Sequence, residues 1–255
     1  MGKNLRFVLL GIQALVTLIL SAVIVHSIIA SVQNGMWVTT RSHLLPSLIH
    51  LWVALIAALL LCFFYRANIG AEARVLPLLF LMISLGNVKI LPLHHTLTGL
   101  FLLNPLNVSV LYHFSLLFGS FLFLSSGLFQ QTINPTKLGQ YSFVGAASAL
   151  LLSILVPVSA SSASFLWEVS VTNRLFLGVC ILINALAVLT FLIAIFEEHF
   201  SRQTLARCLS FILMITGTMM VTVSQDTLFN SLGLVFYVAG TTTLILVTRT
   251  YHIWT

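Results

Sequence analysis

The sequence predicts an all-α, polytopic transmembrane helix bundle, and three observations support this fold class. Of the 255 residues, 59% are hydrophobic and only 6% are charged, whereas a soluble domain carries about 25% charged residues. Several apolar runs reach the roughly 20 residues that a helix needs to cross a bilayer. These runs are continuous rather than alternating, which favours helices over the strands of a barrel. We therefore expect one integral membrane domain over residues 1–255, in contact with the lipid bilayer.

Apolar runs separated by polar or turn residues predict eight membrane spans, with seven as the alternative count. The predicted spans cover residues 7–30, 44–65, 75–93, 106–129, 141–159, 175–196, 206–223 and 228–247. The first run is too long for the apolar region of a signal peptide, which has about 7–15 residues, so we interpret it as a membrane anchor. Only four residues, Ser224 to Thr227, separate the last two spans, which predicts a tight helical hairpin.

The basic residues predict the orientation of the chain. With eight spans and a cytoplasmic N-terminus, the inside segments hold eight of them: Lys3, Arg6, Arg66, Arg74, Lys137, Arg202, Arg207 and Arg249. The outside segments hold the other three of the eleven, namely Arg41, Lys89 and Arg174. Because Lys and Arg accumulate in cytoplasmic loops, this distribution predicts that both termini are cytoplasmic.

Composition and motifs exclude several classes of function. The net charge of +6 is explained by this topology, and no basic tract interleaved with aromatic residues suggests a nucleic-acid partner. The connections are too short for a separate catalytic domain, and no phosphate-binding loop motif occurs. The three cysteines contain no C-x-x-C pair, which argues against a disulfide framework. Together with the lack of a convincing glycosylation loop, this favours a bacterial cytoplasmic (inner) membrane.

The polar residues of the first four spans are predicted to form one layer. Counting along each helix at about 1.5 Å per residue places His26, His50, Lys89 and His113 roughly 6–10 Å below the outer surface. His94 and His95 are expected at or just beyond that surface. Asn87 lies two positions before Lys89 and belongs to the same polar cluster.

Three interpretations of this layer remain open. In the first, the groups are interfacial: Lys89 extends towards the surface past Pro92, and His94 and His95 contact lipid phosphate. In the second, His50 and His113, with His26 as a third ligand, bind haem or a transition metal, because imidazole is a common metal ligand and a haem in a bundle needs histidines at matching depth.

In the third interpretation, Lys89 and Asn87 face the bundle interior and form a proton- or ion-coupled binding site. Ionisable groups inside a membrane are functional candidates by default. Transport sites usually lie near the midplane on broken helices, and the predicted end of the third span at residue 93 places Lys89 too shallow for that.

A seam of small residues lies on the fifth predicted span. Ser142, Ala146, Ala149 and Ser153 recur at spacings of four, three and four, which lets another backbone approach closely. The seam predicts a contact with a helix of this chain or with a membrane protein partner. Asn184 on the sixth span and Thr216, Thr218 and Thr222 on the seventh are candidates for hydrogen bonds between helices, with packing as the default explanation.

These observations favour a non-enzymatic membrane protein. All five acidic residues are predicted to fall in loops or turns between the spans, and no nucleophile with a neighbouring base is visible. We expect a sensory or assembly subunit that acts through partners. A haem- or metal-binding redox protein and a small-solute transporter are the two alternatives.

Overall fold

The computed structural model describes residues 3–64, 72–131, 138–156, 174–224 and 226–253. Within these ranges the chain is helical and contains no strand. The α-helices are α1 (Lys3–Gln33), α2 (Trp37–Phe64), α3 (Glu72–Gly86), α4 (Leu91–Thr98), α5 (Pro105–Gln131), α6 (Leu138–Leu155), α7 (Arg174–Glu197), α8 (Arg202–Val223) and α9 (Thr227–Ile253). A short 3₁₀ turn, Asn87–Ile90, joins α3 to α4.

Seven segments among the described residues are long and apolar enough to cross a membrane. They are Leu5–Gln33, Trp37–Leu61, Val75–Thr98, Pro105–Leu128, Arg174–Glu197, Arg202–Val223 and Thr227–Thr248. The fifth predicted span corresponds to α6, whose apolar part, Gly139–Leu155, is shorter than the other seven. Residues 157–159 of that predicted span lie outside the described residues. The chain is thus a bundle of apolar helices compatible with a multi-pass membrane protein.

The third span contains a 3₁₀ turn, Asn87–Ile90, within an otherwise α-helical run, which the sequence analysis did not predict, and we call this turn the break in the third span. Pro92 occupies the first turn of α4 and has no N–H to continue the hydrogen-bond ladder from α3. The Asn87 side chain donates to the carbonyls of Ile83 at 3.1 Å and Ser84 at 3.4 Å, so it takes over acceptors at the end of α3. The span continues through α4 to Thr98, five residues beyond the predicted end at residue 93.

The last two helices form the predicted hairpin, and three glycines allow their backbones to touch. A Cβ atom added at Gly217 would lie 2.4 Å from the backbone nitrogen of Tyr237. One at Gly240 would lie 2.6 Å from the carbonyl oxygen of Ser210, and one at Gly233 would lie 2.6 Å from the Cβ of Met220. Small residues permit this close packing between apolar helices, where van der Waals contact is the main attraction.

Two apolar clusters hold the helices together. The larger cluster joins α2, α3, α5, α6, α7, α8 and α9 and includes Phe80, Leu117 and Phe211. The smaller cluster joins α1, α2, α4 and α5 and includes Leu51 and Tyr112. The polar residues around the break in the third span lie where the two clusters meet.

The small-residue seam of the fifth predicted span lies on α6, which packs against α5. Ala149 and Ser153 are buried within the chain, whereas Ser142 and Ala146 are partly exposed. A Cβ at Gly145, between them, would contact Phe121 of α5 at 3.6 Å. Part of the seam therefore serves the packing of this chain, and its outer part is accessible.

Candidate polar site at the break in the third span

Asn87 connects the break in the third span to α2. Its side-chain amide lies against His50, with Nδ2 at 3.2 Å and Oδ1 at 3.4 Å from His50 Nδ1. The His50 ring also packs edge-on against Tyr237 of α9, with the ring centroids 4.4 Å apart. Both Asn87 and His50 are buried. Among the described residues, His50 Nε2 has no hydrogen-bond partner.

Lys89 points into the bundle rather than towards the membrane surface. It is 2% exposed, and its Nζ donates to the backbone carbonyl oxygen of Val221 at 2.7 Å. The interpretation in which Lys89 extends outward past Pro92 is therefore wrong. Lys89 also lies close to the middle of the apolar helical run Val75–Thr98.

The C-terminal turn of α8 is the anchor point for side chains from three other elements. Besides Lys89, the Tyr112 hydroxyl of α5 donates to the Thr222 carbonyl at 2.7 Å. The Asn230 side chain of α9 is surrounded by carbonyl groups, so its amide nitrogen is placed facing them. In this orientation the nitrogen donates to the Val221 carbonyl oxygen at 3.2 Å. The last carbonyls of a helix lack intrahelical donors and carry partial negative charge, so a buried ammonium group is stabilised there. We call Lys89, Tyr112 and Asn230 the α8 clamp.

His113 lies in a separate environment on α5. Its Nδ1 is 2.7 Å from the carbonyl oxygen of Ser109, and a carbonyl can only accept, so Nδ1 carries the proton. The ring packs edge-on against Phe176 of α7, with the centroids 4.8 Å apart. Among the described residues, His113 Nε2 has no hydrogen-bond partner.

His26, His94 and His95 gather near the contact of α1 and α4. The His26 and His94 rings have centroids 5.2 Å apart, and His94 Nδ1 lies 2.9 Å from Ser27 Oγ. His94 is 2% exposed, so the expectation that it contacts lipid phosphate is wrong. His95 is half-buried, and its ring stacks on that of Phe101 with the ring centroids 3.5 Å apart. His26 is exposed.

These positions divide the predicted histidine layer into three groups. His50 contacts Asn87 at the break, and His113 lies at the contact of α5 with α7. His26 and His94 pack against each other. Among the described residues, no group of three or more His, Cys, Asp or Glu side chains is arranged to hold a metal ion. Aromatic side chains pack directly on the His50 and His113 rings, which gives a haem between the two no support. The haem or metal interpretation stays a prediction.

Sequence reasoning missed the acceptor of Lys89 and two members of the clamp, Tyr112 and Asn230. The only local signal was the position of Tyr112 beside His113, and tyrosine in an apolar helix is usually attributed to packing or to the membrane interface. Backbone carbonyls at the end of α8 carry no sequence signal at all.

Comparisons of this chain with protein-family models, with curated proteins and with solved structures find no match.

Proposed function

We propose that this chain is a non-enzymatic membrane subunit that senses or assembles through partners, with the break in the third span as its switch. The observation that carries the proposal is the hydrogen bond from Lys89 to Val221. It joins the interrupted α3–α4 span directly to the C-terminal hairpin, so movement at the break changes the position of α8. Switches of this kind need an element with two discrete arrangements, and a stretch of 3₁₀ helix inside an α-helix often marks a hinge.

A partner is expected because the connections between predicted spans are short. A change in the hairpin must therefore be detected by another protein. We propose α6 as the contact in the membrane, through Ser142 and Ala146, the part of its small-residue seam that α5 leaves partly exposed. We further propose a bacterial cytoplasmic membrane as the location, with both termini in the cytoplasm.

The proposal is tested by comparing the purified chain with clamp variants. The purified protein is expected to show no solute uptake in proteoliposomes. In native membranes, a crosslinkable residue at position 142 is expected to capture the same partner repeatedly. Lys89→Met is expected to change the yield of that crosslink while the chain remains folded. Efficient transport by the purified chain alone would overturn the proposal.

A small-solute transporter is the second candidate, and the broken third span favours it. Discontinuous helices with polar residues near the midplane form the substrate sites of many transporters, and Asn87 and Lys89 occupy such a position. In this case the purified chain transports a solute, and Lys89→Ala abolishes uptake without loss of folded protein.

A redox protein that uses His50 and His113, with His26, is the third candidate. Both His50 and His113 keep a buried Nε2 that no described residue contacts by hydrogen bond, as a ligand nitrogen would. Carbonyl contact at Nδ1, as in His113, is the usual support for a metal-binding imidazole. An absorption spectrum and a metal analysis of the detergent-purified protein decide this candidate, since a colourless, metal-free preparation rules it out.

A further inference from the structure

The connection between α4 and α5 exposes a run of large apolar side chains. Leu100, Phe101, Leu102 and Leu103 follow one another there, and their exposed fractions lie between 43% and 67%. We call these four residues the apolar loop. Leu106, in the first turn of α5, is also exposed, so the apolar surface continues from the loop onto that helix. A contiguous exposed apolar surface marks a contact with a membrane or with a protein.

The apolar loop lies where two segments that can cross a membrane end. The segments Val75–Thr98 and Pro105–Leu128 have 24 residues each, which corresponds to about 36 Å of helix. The hydrocarbon layer of a bilayer is about 30 Å thick, so both segments are long enough to reach its surface. The connection between them, residues 99–104, must leave the bundle and return to it, and it therefore extends at most about 10 Å from the helix ends. The loop is thus held close to the membrane surface.

The composition of the connection favours lipid over water. The sequence contains no Lys, Arg, Asp or Glu between Lys89 and Lys137, so no charge opposes entry of the apolar loop into the bilayer. The turn between α8 and α9 differs in this respect, because it carries the exposed Asp226. Removing apolar side chains from water is favourable, and the lipid beside the ends of α4 and α5 provides the nearest apolar environment.

The backbone at both ends of the apolar loop is hydrogen-bonded. Gly99 has a φ of 73° and ends α4, and its N–H donates to a carbonyl of the last turn of that helix at 2.7 Å. The Thr98 hydroxyl accepts from the N–H of Leu100 at 3.3 Å, and Asn104 Oδ1 accepts from the N–H of Leu106 at 3.0 Å. Irregular backbone does not occur in the hydrocarbon region itself when it faces lipid. The backbone of the loop therefore belongs in the headgroup layer, from which its side chains reach the acyl chains.

The loop is also fixed to the bundle without being covered by it. The Phe101 ring stacks on that of His95, in the last turn of α4, with the ring centroids 3.5 Å apart. Phe101 nevertheless has the largest exposed fraction of the four loop residues. The end of α4 is in turn tied to α1, because the Asn34 side chain donates to the Leu97 carbonyl at 3.1 Å. The apolar side chains are thus presented by a preformed support, which lowers the cost of ordering them on binding.

We propose that the apolar loop is an interfacial anchor that binds membrane lipid, with its backbone in the headgroup layer and its four side chains among the acyl chains. Apolar surfaces of interfacial segments enter the bilayer to a depth of about 5–10 Å. α4 has eight residues and connects the loop to the break in the third span, so the anchor fixes the helix on one side of the break. Lipid binding by the loop does not depend on whether the chain senses, assembles or transports.

The test measures how a nitroxide spin label on the loop collides with two relaxing agents in phosphatidylcholine liposomes. The label is attached to Leu102→Cys in the full-length chain after replacement of its native cysteines. Oxygen concentrates in lipid, whereas nickel-EDDA stays in water. We expect the label to collide more with oxygen than with nickel-EDDA, as at the lipid control Leu182→Cys on the exposed face of α7. The aqueous control, Asp226→Cys, is expected to show the opposite preference.

Two results at position 102 would overturn the proposal. A preference for nickel-EDDA, as in the aqueous control, would place the loop in water. Low collision with both agents would place it against protein, either this chain or a second copy, rather than against lipid.

Phe101→Asp tests whether the apolar side chains cause the insertion. Because Phe101 is largely exposed, the variant is expected to fold, which size-exclusion chromatography checks. A carboxylate opposes entry into lipid, so the label at position 102 should collide more with nickel-EDDA than it does in the parent chain. Phe101→Leu is the matched control, because it keeps the position apolar and should leave both collision rates unchanged. An unaltered pattern in Phe101→Asp would contradict the proposal.

Discussion

The ammonium group of Lys89 and the carbonyl oxygen of Val221 are 2.7 Å apart, although the two residues are 132 positions apart in the chain. Among the residues whose side-chain burial the structure describes, Lys89 is the only buried Lys, Arg, Asp or Glu. It therefore marks the place where the interrupted third span and the C-terminal hairpin are held together. The first two predictions test this contact directly.

Replacing Lys89 with methionine is expected to destabilise the protein. Methionine retains the unbranched apolar stem but cannot donate, so the end of α8 loses its charged donor. We expect the free energy of unfolding to fall by about 1–3 kcal/mol, measured by denaturant titration in mixed micelles. Arg41→Met is the control, because Arg41 is exposed on α2 and its replacement should have little effect. Unchanged stability of Lys89→Met would mean that the contact contributes nothing to the fold.

Lys89 and Tyr112 are expected to act as one unit. Tyr112→Phe removes the hydroxyl that donates to Thr222 and should cost about 0.5–1.5 kcal/mol by itself. Because both residues hold the same helical turn, the double variant with Lys89→Met should deviate from additivity by about 0.5 kcal/mol or more. A double-mutant cycle measures this coupling. Strictly additive losses would show that the clamp is not a unit.

The contact of α8 with α9 is expected to depend on Gly217. A methyl group there would lie 2.4 Å from the backbone nitrogen of Tyr237, so Gly217→Ala must push the two helices apart. We expect the free energy of unfolding to fall by roughly 1–3 kcal/mol, the usual cost of overpacking.

The control for this prediction is Gly178→Ala on the exposed face of α7, where an added Cβ meets nothing within 4 Å. Alanine favours the helix over glycine by about 1 kcal/mol, so this variant should be as stable as the wild type or more stable. If the two variants behaved alike, glycine packing would not be what holds the hairpin together.

The number of spans is decided by whether α6 crosses the membrane. Eight spans with both termini inside place residues 132–137 in the cytoplasm and residues 157–173 on the outer side. Single cysteines introduced into each segment, in a background without Cys62, Cys180 and Cys208, should react with an impermeant maleimide from opposite sides of the membrane. Labelling of both segments from the same side would support seven spans, which would place the two termini on opposite sides of the membrane.

The sequence by itself was sufficient to predict an apolar all-helical chain, the approximate positions of its long helices and the α8–α9 hairpin. These features follow from local quantities, namely the length of an apolar run and the residues that interrupt it. The break in the third span had a local cause in Pro92 and Asn87, but the apolar run continues through it and hides it.

Only the tertiary structure decided what the buried polar groups contact. The His50 ring contacts the side-chain amide of Asn87, 37 positions along the chain, and Lys89 donates a hydrogen bond to a carbonyl of α8. His113 instead donates to the Ser109 carbonyl of its own helix. Counting along each helix predicts a depth in the membrane for His50 and His113, but it carries no information on rotation about the helix axis, which decides what each side chain contacts. That rotation is set by packing against neighbouring helices. It turned Lys89 inward, to the end of a helix whose carbonyls could stabilise its charge.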